Sequence, residues 1–136
     1  MENTLKIYCD GGARGNPGPA AAAFVVEKNG KVIYKEAKFL GEQTNNAAEY
    51  SAVLAGMGWL EKSKNPPSEV YFVLDSELVA KQLAGLFKIK NENLRNYFFS
   101  IKELEKKISS RIFFTAVPRS KNKLADLLVN KVLDEN

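Results

Sequence analysis

The chain has 136 residues, 45% of them hydrophobic and 26% charged, the proportions of an ordinary globular protein rather than a disordered or fibrous one. It contains no histidine and one cysteine, Cys9, which excludes Ser-His-Asp and Cys-His triads, histidine-held zinc and any internal disulfide. The net charge of +4 is unevenly spread: residues 1–80 carry 8 Lys/Arg against 10 Asp/Glu, and residues 81–136 carry 12 against 6; a basic half suggests a polyanionic partner, although on charge alone a lysine-rich solubilising surface explains it better.

Leu5 to Cys9 alternates apolar and polar residues and then meets Gly11-Gly12, the pattern of a strand ending in a turn. Ala20 to Val26 and Val32 to Leu40 are two further extended runs. Lys28-Asn29-Gly30 between them contains Asn-Gly, a strong hairpin signal, so the chain opens with a three-stranded antiparallel meander. Thr44-Asn45-Asn46 supplies helix-cap residues for a helix reaching Lys62, with Tyr50, Val53, Leu54, Met57 and Leu60 as its buried stripe. Pro66-Pro67 breaks the chain. Val70 to Leu74 reads as a short strand ending at Asp75. Ser76 caps a brief helix through Leu83, which Gly85 ends. Asn93 to Lys107 is a helix with Leu94, Tyr97, Phe98, Ile101 and Leu104 on one face. Arg111 to Val117 is a last strand, and Ser120 or Asn122 opens a final helix with Leu124, Leu128 and Val132 inward. The order βββ, α, β, α, α, β, α predicts an α/β fold with a mixed sheet and helices on its faces, in one domain over residues 1–136.

Three acids fall at the ends of these elements. Asp10 closes the first strand, Asp75 the fourth, and Glu49 lies early in the first long helix; Asp126, near the start of the last helix, is a candidate fourth. Functional groups of open α/β sheets gather beyond the carboxyl ends of strands. As isolated features, each acid could be a cap or a solvated charge. As a cluster, they would repel one another and either hold protons or recruit cations. Oxygen-only ligation suits Mg²⁺ or Mn²⁺, and a pair of such ions is the standard clamp for in-line displacement at phosphorus.

Four segments occur in order: YCDGGARGNPGP at Tyr8–Pro19, TNNAAEY at Thr44–Tyr50, VLDS at Val73–Ser76 and PRSKNKLAD at Pro118–Asp126. Together they resemble type 1 ribonucleases H, over roughly Leu5 to Leu133. The resemblance implies the ribonuclease H-like fold: a five-stranded mixed sheet, three strands antiparallel and the rest parallel, with helices on both faces. It implies an endonuclease that cuts the RNA strand of RNA–DNA hybrids by a two-metal-ion mechanism, leaving 5′-phosphate and 3′-hydroxyl ends. Asp10 would bridge two Mg²⁺ ions, with Mn²⁺ as a substitute. Glu49 and Asp75 would hold one each, with Glu49 also near the substrate ribose, and Asp126 would be the more weakly held ligand.

The resemblance also assigns substrate contacts. Gly11, Gly12 and Asn16 belong to a glycine-rich turn able to approach a ribose, and Thr44, Asn45 and Asn46 would contact the DNA strand besides capping the helix. Glu77 falls where the family contacts RNA, though a plain helix-start acid explains it nearly as well. Trp59 and Cys9 read as structural. Two departures stand out. Many members carry a histidine before the last helix, and here Arg119 is the nearest substitute, as a phosphate ligand rather than a base, with one more solvated positive charge an equally good account of it. Many also insert a basic helix after the short one, whereas Gly85–Glu92 is too short, leaving Lys81, Lys88 and Lys90 to supply that charge. A DNA-directed nuclease of the same fold fits TNNAAEY and the DGG turn less well. A non-catalytic binder has no use for clustered acids facing a polyanion. The remaining expectations are a cytoplasmic monomer, with no secretory signal, no membrane span and no obligate protein partner.

Overall fold

The computed structural model describes residues 4–136. Its strands are β1 (Thr4–Ala13), β2 (Gly18–Lys28), β3 (Lys31–Gln43), β4 (Glu69–Leu74) and β5 (Arg111–Ala116). They form one sheet in the order β3-β2-β1-β4-β5. The first three are antiparallel, whereas β4 runs parallel to β1 and β5 parallel to β4. The helices are α1 (Asn45–Lys62), α2 (Glu77–Leu83), α3 (Glu92–Lys106) and α4 (Lys123–Asp134), with a single 3₁₀ turn at Arg119–Lys121. No helix lies between α2 and α3, as the short Gly85–Glu92 segment predicts. Among the described residues no helix is long and apolar enough to cross a membrane.

The main core lies between the sheet and α1, α2 and α3. Ile7, Phe24 and Phe72 of the strands meet Tyr50, Val53, Met57 and Leu60 of α1, Leu83 of α2 and Ile101 of α3. A smaller cluster on the other face packs Val129 and Leu133 of α4 against Ala21 and Ala23. The alanine run of β2 is thus buried on both sides, and its small side chains let helices approach from either face. Trp59 stacks on Tyr34 of β3 at 5.6 Å, and Cys9 is buried, so both are structural.

Three elements depart from the sequence expectation. First, β1 does not stop at the glycines: Gly11 and Gly12 pair with Ala22 and Ala21 inside the ladder, and the turn occupies residues 14–17. There Gly15 takes a φ of +96°, and a Cβ at Gly18 would lie 2.1 Å from the Arg14 carbonyl oxygen. Second, α4 is rotated by about one residue. Ala125, Val129 and Leu133 are its buried positions, whereas Leu124 is only half-buried and Leu128 and Val132 pack at the margin. Third, β3 runs on to Gln43 as a sheet edge, with register shifts opposite Ala20/Ala21 and Val26/Glu27. It exposes Val32, Ile33 and Phe39 beside Lys31, Lys35 and Lys38.

Candidate functional site

Parallel pairing of β1 with β4 brings both strands to the same end of the sheet, with Tyr8 opposite Val73. Asp10 follows on β1 and Asp75 stands immediately past the end of β4. Glu49 comes from α1, which is pressed against β1. A Cβ on Gly11 would lie 2.2 Å from the Ala48 carbonyl carbon and 2.5 Å from Glu49 N. Glycine at this position therefore lets the helix touch the strand and sets Glu49 beside Asp10. The expected close approach at Gly11 exists, but to the protein's own helix. Asp126 enters from the first turn of α4.

Asp10, Glu49 and Asp75 each offer one carboxylate oxygen within 4.8 Å of the others. With Asp126 and Arg119 they line a cavity of about 520 Å³, which Gly11, Gly12, Arg14, Asn45 and Asn130 help to enclose. Asp10 is only 5% exposed and Glu49 9%. Burial pushes Asp10 up to about 8, helped by the charges of Asp75 and Asp126 and by a hydrogen bond with Asp126, against the pull of Arg119. Burial likewise pushes Glu49 up to about 8, with Asp75 and Asp10 adding to it and Arg119 opposing. Asp75 is raised by burial too, with Arg119 as the strongest opposing influence.

Such a pocket favours protons or a cation. Asp75 Oδ2 is buried without a hydrogen-bond partner. Arg119 Nε stands 3.7 Å from it, an ion pair too long for a hydrogen bond. Close, desolvated, all-oxygen donors with one oxygen left open fit a hard divalent cation.

Other expected residues are placed as follows. Thr44 caps α1, its Oγ1 accepting from Ala47 N at 3.1 Å. Asn45 ties the turn to the helix: its Oδ1 accepts from Ala13 N at 2.8 Å, and its N–H donates to Asn16 Oδ1 at 3.0 Å. The side-chain oxygens of Asn16 and Asn45 are thus engaged internally, beside the cavity. Asn46 sits in the first turn of α1. Glu77, Lys88 and Lys90 do not reach the cavity. Glu77 pairs with Lys81 at 2.8 Å as a helix-surface acid, and the two lysines are exposed on the α2–α3 connection. That connection is tethered to α1: Tyr50 donates to Gln82 Oε1 at 2.7 Å, and Gln82 Nε2 donates to the Lys88 carbonyl at 3.3 Å.

Sequence reasoning missed Arg14 and Asn130 as cavity walls. Arg14 pairs with Asp134 at 2.6 Å, joining the turn to the end of α4. A charge in a glycine-rich turn and a distant helical acid carry no local sign that they will meet. It also missed Asn122, which is buried under the site and which a residue before a helix would suggest only as a cap.

The Reverse transcriptase-like family model matches residues 8–132. A bifunctional protein of Mycobacterium tuberculosis is 35% identical over 130 residues, covering 94% of this chain and 35% of that protein. The ribonuclease HI of Halobacterium salinarum is 37% identical over 133 residues, covering 96% of this chain and 65% of that protein. The chain therefore spans about a third of the first relative's length and just under two thirds of the second's. The crystal structure of LC11-RNase H1 in complex with an RNA/DNA hybrid matches with a TM-score of 0.92 at 36% identity, covering 96% of this chain and 97% of that one.

Proposed function

Because this chain belongs to the reverse transcriptase-like family of ribonuclease H domains, we propose that it hydrolyses the RNA strand of RNA–DNA hybrids, leaving 5′-phosphate and 3′-hydroxyl ends. The observation that carries the reading is the convergence of Asp10, Glu49 and Asp75 within 4.8 Å at the ends of adjacent strands and the first turns of a helix. The hybrid bound by LC11-RNase H1 supports the substrate class.

Asp10, Glu49 and Asp75 are the residues that would hold Mg²⁺, with Asp126 completing the set. When bound, two such ions supply an activated water and a neutralising clamp on the attacking and leaving oxygens. The chain's own residues do the rest. The buried carboxylates give up their protons to become ligands, and their fixed spacing sets where a phosphate can sit. Arg119, 78% exposed in its side chain and held near Asp75, offers a planar fork to a phosphate oxygen. Arginine stays protonated and is therefore no base. Gly12 and the Asn16–Asn45 pair wall the site where a ribose would lie, Thr44 and Asn46 open the helix beside it, and Lys88 and Lys90 face the flanking duplex. All four acids and Arg119 come from a single chain, so action as a monomer, which we include in this reading, asks for no residue from a second copy.

The test is incubation of the purified protein with labelled RNA–DNA hybrid, duplex DNA, duplex RNA and single strands, in Mg²⁺, Mn²⁺ or chelator. Internal cuts in the hybrid's RNA strand alone, abolished by chelator, are expected. Equal cutting of duplex DNA would overturn the reading.

A further inference from the structure

Asn122 stands where a helix cap is expected, yet its side chain caps nothing. It is 1% exposed. Its Nδ2 instead donates sideways to the Cys9 carbonyl at 2.9 Å, the peptide that immediately precedes Asp10. Its own backbone carbonyl accepts from Asp126 N at 3.1 Å. One residue thus grips the main chain beside Asp10 with its side chain and the main chain of Asp126 with its backbone. The two acids are more than a hundred positions apart in the chain, so nothing local fixes their spacing. The price of the arrangement is visible, because Asn122 Oδ1 is buried with no partner. An asparagine serving as a cap would have turned that oxygen toward a helical N–H.

We propose that Asn122 is the positioning residue of the acid cluster, setting Asp126 against Asp10 and thereby the affinity of the pocket for a divalent cation. This rests on the cation-binding reading above. It predicts that the effect of removing Asn122 passes through Asp126.

The experiment is a double-mutant cycle on the full chain: wild type, Asn122→Ala, Asp126→Asn and the double variant. Each is titrated with Mn²⁺ by calorimetry, and each is melted in urea with chelator present. In the wild-type background Asn122→Ala should weaken Mn²⁺ binding about 10- to 100-fold, the usual effect of losing a group that orients a ligand. In the Asp126→Asn background it should weaken binding less than about threefold, because coupled sites are not additive. The cost in the chelator melts should be alike in both backgrounds, which separates orienting an acid from simple support of the fold. If Asn122→Ala does not fold, Asn122→Ser, polar but too short to reach the Cys9 carbonyl in the same way, runs the same cycle. Equal losses of Mn²⁺ affinity in the two backgrounds, or no loss in either, overturn the inference alone. A wild-type protein that binds no Mn²⁺ overturns the cation-binding reading with it.

Discussion

Asp10 and Glu49 hold protons at neutral pH because water is denied them and other acids crowd them. In the unfolded chain the same groups titrate near pH ~4. The folded state therefore keeps protons that the unfolded state has released. The stability that these two acids contribute is fully present below pH ~4 and is lost as pH rises through about 8, where the folded groups ionise too. In chelator, the urea midpoint should fall steadily between about pH 5 and 8, and Asp10→Asn should flatten that fall and raise the midpoint at pH ~8. A midpoint that climbs with pH would show that the acids are not buried as described. In cleavage assays with Mg²⁺, Asp10→Asn, Glu49→Gln and Asp75→Asn should each lower kcat by at least about 10²-fold with the fold retained, and Asp126→Asn by less. Arg119→Ala should lower kcat more than it raises KM, with Lys a partial substitute lacking the fork. A change in KM alone would reduce Arg119 to a binding contact. The four acids and Arg119 were legible because each stands in a compact motif whose chemistry is local. Asn122 was not, because the partner of its side chain, the Cys9 carbonyl, is distant in sequence. Nor could Glu77 be decided from its neighbours, since an acid at a helix start suits both a substrate contact and the Lys81 pair that the structure shows.

At the level of elements, the apolar stripe of α3 was readable because its period of 3.6 is undisturbed; in α1 Tyr50, Val53, Met57 and Leu60 are buried as expected, but Leu54 is only half-buried and the run Ala47–Val53 is buried without a break, because this end of the helix is pressed against β1. The α4 stripe came out a residue off. Its start is pinned by Asn122 to β1, and the tether turns Ala125, not a leucine, toward the sheet. The end of β1 was misplaced because two adjacent glycines usually signal a turn. Here one of them makes room for a helix. Gly11→Ala should destabilise the protein by roughly 3 kcal/mol or more, since its Cβ meets backbone that cannot swing aside, and it should displace Glu49. Gly12→Ala is the contrast: its Cβ meets only Val129 Cγ1 at an ordinary 3.8 Å, so the cost should stay under about 1 kcal/mol. Chemical denaturation of the two variants side by side checks the pair, and equal costs would contradict the helix-on-strand contact. The α2–α3 connection makes a separate claim. Neutralising Lys88 and Lys90 together should reduce the slope of log K against log salt for hybrid binding by somewhat under 2, about 0.9 per phosphate contact. An unchanged slope would place the duplex elsewhere.

For the molecule as a whole, the order β3-β2-β1-β4-β5 puts β1 and β4 inside the sheet, so Asp10 sits on one interior strand and Asp75 just past the end of another, and the borders are left to β3 and β5. The alternation of hairpins and helices in the sequence called for a mixed sheet with helices on its faces, but not for this strand order. Nor did it say which surface would stay uncovered, because coverage depends on where α4 finally lies. The 13-residue border strand β3 has a colloidal consequence. Its outer main-chain groups and its exposed Val32, Ile33 and Phe39 form a template on which another copy could add a strand. The charged ends of Lys31, Lys35 and Lys38 stand in the way. Their reach shrinks from about 10 Å in 0.1 M salt to about 3 Å in 1 M. Light scattering over a salt series should therefore show particles growing at high ionic strength, and replacing the three lysines with serine should bring that onset to more dilute buffer. The same ions that would loosen the proposed hold on a charged duplex would remove the guard along this border, so an upper salt limit is expected from two sides at once.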